Sequence, residues 1–179
     1  MFGCKSVFAI EIDRMVESDS YHLSSLRFWI GGKAVGDWED TTLLTACILW
    51  MEEFYEYEAE RVLPESDTKL AEQLFQELYC AYYEGDPSAS ASHLCTYFHM
   101  DQTGMSSFVD KYGIILVTSD NGTARLIWKC WAEGEQIHEF TLPAGEVERI
   151  GREFVAWGKT FIKRKRELKP KLPPPTGWP

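Results

Sequence analysis

The sequence predicts an α+β fold: an antiparallel sheet of about six strands, in the order β-β-β-α-α-β-β-β-β-α, packed against two to three helices. Three observations carry this prediction. Apolar and aromatic runs of strand length come in pairs, closed by Gly31-Gly32 and by Asn121-Gly122, which are hairpin turns. From Thr41 to Arg61 and from Ala144 to Arg166, apolar residues instead recur at three- and four-residue steps. That is the period of a helix with one buried face. A second, shorter helical pattern follows the first, so two helices interrupt the strands and a third closes the chain. The sheet can be split or strongly bent.

In chain order, Val7 to Asp13 reads as the first strand, alternating toward its end. Met15 to Ser25 is polar and reads as a loop. Leu26-Arg27-Phe28-Trp29-Ile30 is the second strand, and Ala34 to Asp37 a short third beyond the Gly-Gly turn. The long helix starts near Asp40 or Thr41 as caps, with Leu44, Cys47, Ile48, Met51, Phe54, Tyr55 and Val62 on its core side. Pro64 ends that region. A second helix spans Asp67 to Tyr83, with Asp67 as N-cap and Leu70, Leu74, Leu78 and Ala81 as its stripe. Glu84 to Ser92 is a loop by composition, His93 to His99 a strand, and Gln102 to Asp110 irregular. Residues 112–142 form a three-stranded meander. Pro143 suits the first turn of the last helix, whose stripe is Val147, Ile150, Phe154, Trp157, Phe161 and Ile162. Residues 1–168 read as one domain and 169–179 as a proline-rich tail.

With 179 residues and 45% hydrophobic content, the chain can bury a sizeable core. Its net charge is −10, unevenly spread. Residues 1–110 carry 20 acids and 6 bases, and residues 111–179 carry 8 acids and 12 bases. Such an acidic body disfavours nucleic acid and anionic membranes as partners and favours a basic protein. No secretory pattern opens the sequence and no apolar run reaches membrane length, so a cytoplasmic location is expected. Five dispersed cysteines, Cys4, Cys47, Cys80, Cys95 and Cys130, read as reduced, small buried residues. Most tryptophans, Trp50 among them, read as core; Trp38 and Trp178 read as exposed.

A search for chemistry finds no phosphate loop, nucleophile elbow or zinc helix motif. His93, Cys95, Tyr97 and His99 alternate along one predicted strand. Three ligands from one extended strand rarely wrap a tetrahedral ion, so an edge strand with a buried cysteine is the better reading. No metal or cofactor is expected, nor an enzyme. The glutamates Glu52, Glu53, Glu56 and Glu60 are more informative. Like charges four apart on a helix repel, and the helix has one base, Arg61, at its end. A solvated face is the plain interpretation; the sharper one is a surface for a positively charged partner. The run Lys163-Arg164-Lys165-Arg166 complements a helix C-terminus.

Three stretches resemble the bacterial immunity protein 42 family. They are Phe2-Gly3-Cys4-Lys5-Ser6-Val7-Phe8-Ala9-Ile10-Glu11, the run from Leu26 through Gly31-Gly32 to Gly36-Asp37 with the helix after it, and His138-Glu139-Phe140 leading into Pro143-Ala144-Gly145-Glu146. The resemblance covers the first sixty residues and 112–160. It implies an immunity protein that binds and neutralises a cognate secreted toxin domain acting in the cytosol, occluding its active site with an acidic surface. The implied partner is the C-terminal domain of a polymorphic toxin, basic in character. The expected contacts are Glu52, Glu53, Glu56 and Glu60 with Asp37, Trp38 and Glu39 at the adjoining hairpin. An adaptor or chaperone for a secretion-system effector is the alternative. A small metal-dependent hydrolase using His93, Cys95 and His99 is a third.

Overall fold

Strand β2 (Phe8–Glu17) and strand β3 (His22–Ile30) pair as one long antiparallel hairpin, from Phe8 opposite Ile30 to Glu17 opposite His22. The computed structural model describes residues 1–17, 22–80, 97–102 and 106–168. Strand β1 (Phe2–Cys4) flanks β2. Strands β4 (Lys33–Val35) and β5 (Thr42–Leu43) both pair with β3, giving a five-stranded sheet. Strands β6 (Tyr112–Thr118), β7 (Thr123–Cys130) and β8 (Ile137–Pro143) form the expected meander as a separate three-stranded sheet. The architecture is therefore α+β, with the predicted sheet divided in two.

The polar stretch 15–25 is the first correction: it is strand on both sides of residues 18–21. Cross-strand pairing overrides its weak local propensity, with a register shift between Asp13 and Val16. Ser24 and Ser25 are buried, and the His22 ring meets Phe161 edge-on at 5.5 Å. Apolar alternation could not announce the start of β3, where the buried residues before Leu26 are serines.

Helix α1 (Leu44–Glu56) follows β5 directly, with Leu43 at the N-cap position and no side-chain cap. Neither Asp40 nor Thr41 caps it; Asp40 Oδ1 accepts from the Thr41 backbone N–H instead. Leu44, Cys47, Ile48, Met51 and Phe54 face the core as predicted. The helix stops short of Arg61, because Tyr57 leaves helical geometry and a 3₁₀ turn spans Glu58–Arg61. Val62 thereby falls off the stripe, exposed at 44% and bridged to Thr118. A second 3₁₀ turn spans Pro64–Thr68. Helix α2 (Ala71–Phe75) is capped at Leu70, whose backbone N–H donates to Gln73 Oε1, and continues as a π turn over Gln76–Cys80. Asp67 is no helix cap. It accepts from Ser119 and Asn121 at 2.6 Å each, tying this segment to the β6–β7 turn. Ala81, Tyr83, the loop 84–92 and residues 93–96 lie outside the described residues.

Of the strand expected over 93–99, Tyr97 and Phe98 are helical, and His99 forms a single bridge with Ile115. Packing decides this: Phe98 enters a side core and Tyr97 stacks on Tyr57. Part of the predicted irregular stretch is helix α3 (Ser106–Lys111). Helix α4 (Glu146–Leu168) closes the described chain. Pro143 belongs to β8 rather than to this helix, and Gly145, at φ +79°, makes the turn.

The two sheets and helices α1 and α4 share one core, including Phe8, Phe28, Met51, Leu126, Ile150 and Phe154. Strands β6 and β7 of the smaller sheet are buried on both faces. Ile114 and Leu116 point into that core, while Ile115, Val117 and Ile127 pack under Leu74, Phe75 and Tyr79 of the α2 region. This is why Ile114-Ile115-Leu116-Val117 is continuously apolar rather than alternating. Gly31 is required where the two sheets meet: its φ is +57°, and a Cβ there would sit 2.4 Å from the Phe140 ring. Cys47 and Cys130 are buried, but Cys4 is exposed, against expectation. No described helix is long and apolar enough to cross a membrane. The proline-rich tail lies outside the described residues.

Candidate functional site

The surface glutamates of α1 do not form the single stripe that their spacing suggested. Glu52 and Glu56 lie on the flank toward α4, where Lys159 pairs with Glu52 and its charge also senses Glu56. Glu58 pairs with Arg152 at 2.7 Å. The missing counter-charges thus come from another helix. Glu53, Glu56 and Glu60 are exposed and form no ion pair among the described residues.

Arg61, the one base of that segment, is not on the surface. Both it and Glu148 of α4 are buried, and their side chains are hydrogen-bonded to each other. The guanidinium also donates to the Phe54 carbonyl at 2.5 Å, one of the orphan carbonyls at the end of α1. It reaches the Tyr97 carbonyl at 3.4 Å and sits 4.0 Å from the Phe54 ring centroid. Burial pushes the Arg61 pKa down, opposed by Glu148. Glu148 lies in the first turn of α4, where the helix dipole favours an anion.

Two hollows are lined by residues from the end of α1 and the turn after it. The first, of about 150 Å³, is lined by Trp50, Glu53, Phe54, Tyr57, Tyr97 and His99, with Gln102 beside them. Its walls are stacked rings: Trp50 on Phe54 at 5.3 Å and Tyr57 on Tyr97 at 4.2 Å. The second is a groove of about 600 Å³ running past Glu56, Glu58, Val62 and Arg152. Arg152 also lies over the Tyr55 ring, 5.2 Å from its centroid.

His99, the one described member of the predicted His/Cys row, is buried. Its Nε2 lies 3.1 Å from the Leu78 carbonyl, and its ring stacks on Tyr79 at 4.9 Å. Tyr79 in turn donates to buried Asp101 at 2.9 Å. His93 and Cys95 lie outside the described residues. Among the described residues no cluster of three or more His, Cys, Asp or Glu is arranged to hold a metal.

Asp37, Trp38 and Glu39 sit at the far end of the β4 hairpin. Asp37 pairs with Lys111 at 2.5 Å and accepts from the Glu39 backbone N–H. The hydrogen bond from Lys111 holds the Asp37 carboxyl below its ordinary pKa. Trp38 is half-buried under Arg27, 4.1 Å from its ring centroid. Arg27 also covers Trp29 and donates to Glu11. Glu11 collects donors from Lys5 at 2.9 Å, Arg27 at 2.8 Å and Trp29 at 2.6 Å.

Partial burial alone would raise the Glu11 pKa. The three donors outweigh it and hold the carboxyl at about 2, against an ordinary 4.5. A carboxylate depressed in the folded state contributes stability that is complete above its unfolded pKa and lost as pH falls through the folded value. Glu11→Gln is therefore expected to flatten the fall in Tm between pH 4.5 and pH 2. Thermal melts across that window check it, and a slope equal to wild type would rule out the depressed carboxyl.

Two sheets carry a shared core in an α+β fold, and at the end of α1 aromatic rings lie beside carboxylates that form no ion pair among the described residues. The chain belongs to the immunity protein 42 family, whose model matches residues 1–157. That membership supports a toxin-neutralising immunity function. A solved structure of CdiI from Burkholderia dolosa AUO158 shares the fold, with a TM-score of 0.65. It is 21% identical, over 87% of this chain and 98% of that one. No curated protein matches the chain.

Proposed function

We propose that this protein protects the cell that makes it by binding the C-terminal toxin domain of a secreted polymorphic toxin in the cytosol. Family membership over residues 1–157 is the observation that carries this reading. The acidic body supports a basic toxin face as the partner, because opposite fields speed encounter and suppress wrong partners. Glu53, Glu56 and Glu60, with Glu52 behind them, form the contact surface, and Asp37, Trp38 and Glu39 extend it. Covering a basic active site in this way blocks the toxin without any chemistry on the inhibitor's side.

The direct test is a pull-down of tagged protein from its own cells in moderate salt. Recovery of one large secreted protein, followed by inhibition of its isolated C-terminal domain in vitro, is the expected result. A bound domain whose activity is undiminished would replace neutralisation with an adaptor role. The surface has its own test. Glu53→Lys/Glu56→Lys/Glu60→Lys is expected to slow association with the toxin domain about tenfold or more at low salt and to weaken its salt dependence. Glu52 is kept, since its reversal would face Lys159. Unchanged association rates at two ionic strengths would place the interface elsewhere.

A further inference from the structure

We infer that the hollow between α1 and Tyr97 is a receptor for a single arginine side chain presented by the toxin. The toxin-binding reading supplies the owner of that arginine; the pocket itself stands on geometry. Its volume of about 150 Å³ suits one side-chain head rather than a chain segment. Trp50, Phe54, Tyr57 and Tyr97 wall it with two stacked ring pairs, and aromatic faces attract cations. Glu53 lines the same hollow and forms no ion pair among the described residues. A carboxylate beside aromatic walls selects a cation over a neutral group.

Guanidinium fits better than ammonium. It is planar, weakly hydrated and able to stack on a ring while donating in its own plane to a carboxylate. The protein already uses this pairing one layer down, where Arg61 lies 4.0 Å from the Phe54 ring centroid. Arg61 does not repel the incoming charge outright, because Glu148 is paired with it. Among the described residues His99 also faces the hollow, with its Nε2 directed to the Leu78 carbonyl and its Nδ1 3.5 Å from Asp101 Oδ1. The acidic excess of residues 1–110 adds long-range attraction toward a cationic visitor.

The test needs no toxin. Methylguanidinium chloride is titrated into full-length protein with ¹⁵N-labelled tryptophan, and the Trp50 indole N–H resonance is followed. Methylurea, of like shape but neutral, and sodium chloride are the controls. A saturable shift with methylguanidinium, absent with methylurea and weakened about fivefold or more by Glu53→Gln, is expected. Equal responses to methylguanidinium and methylurea, or a response indifferent to Glu53→Gln, would overturn the proposal. Glu53 is exposed, so the variant keeps its fold. Failure here leaves toxin binding in place, whereas a working pocket in a protein that captures no toxin would sink the immunity reading alone.

Discussion

Arg61→Met will lower the free energy of unfolding by about 3–5 kcal/mol, because it strands Glu148 as an unpaired charge in the interior. Glu148 is only 1% exposed and lies against the segment that ends α1. Water cannot replace the lost partner without opening the packing between α1 and α4. The same substitution removes the donor to the Phe54 carbonyl. Glu148→Leu alone will cost a comparable amount, by leaving the guanidinium unpaired. The double variant Arg61→Met/Glu148→Leu separates the charge effect from simple loss of volume. Replacing a whole buried ion pair by apolar groups is often neutral or better, so it will recover most of the loss. It will not recover all, because the Phe54 carbonyl stays without its donor, a cost of about 1–3 kcal/mol. Urea unfolding followed by tryptophan fluorescence measures all three. A single variant that loses less than about 1 kcal/mol would mean that the pair is solvated in solution.

The same pair shows where sequence reasoning stops. A lone arginine at the end of a glutamate-rich helix looks like a solvated charge, and nothing local says that the chain bends it inward. Its partner lies 87 positions away. The bend itself comes from Tyr57 leaving helical geometry, which neither periodicity nor a proline announces. By contrast, the β6–β7–β8 meander was legible because Asn121-Gly122 is local turn chemistry and β6 is continuously apolar from Ile114 to Val117. The stripe of α4 was legible for the same reason: Val147, Ile150 and Phe154 carry their period within the helix.

The site divides along the same line. The glutamates could be seen in the sequence, but not their sorting, since Lys159 and Arg152 reach across from α4 to neutralise Glu52 and Glu58. Trp50 read as core, and half of it is: one side packs toward Phe28 while the other walls the hollow. Tyr97 was assigned to a strand whose described end proved helical. Stacking on Tyr57 is a tertiary fact that no single segment encodes. The strand ends flanking residues 18–21 carry no apolar alternation to announce them, and the buried positions described there are Ser24 and Ser25.

Phe28→Ala will cost about 3–5 kcal/mol as well, by the separate route of an unfilled cavity. Phe28 is fully buried on β3. Its ring lies 5.6 Å from Phe8, 4.9 Å from Phe108 and 6.5 Å from Trp50. It therefore joins the larger sheet to α3 and to α1 at one point, and no single neighbour can collapse into the gap. The effect will appear as a lower urea midpoint with an unchanged slope, since the surface exposed on unfolding hardly alters. Phe28→Leu, which keeps most of the volume, will lose much less. If the two variants lose the same amount, volume is not what Phe28 supplies. The link to function runs through Trp50. With Phe28 truncated, the indole loses its support from behind, so the Trp50 resonance will shift even in the folded protein. A folded Phe28→Leu variant with a displaced Trp50 signal and weaker methylguanidinium binding would tie the pocket's shape to the core beneath it. An undisturbed Trp50 would show instead that Phe54 and Tyr57 hold that wall alone.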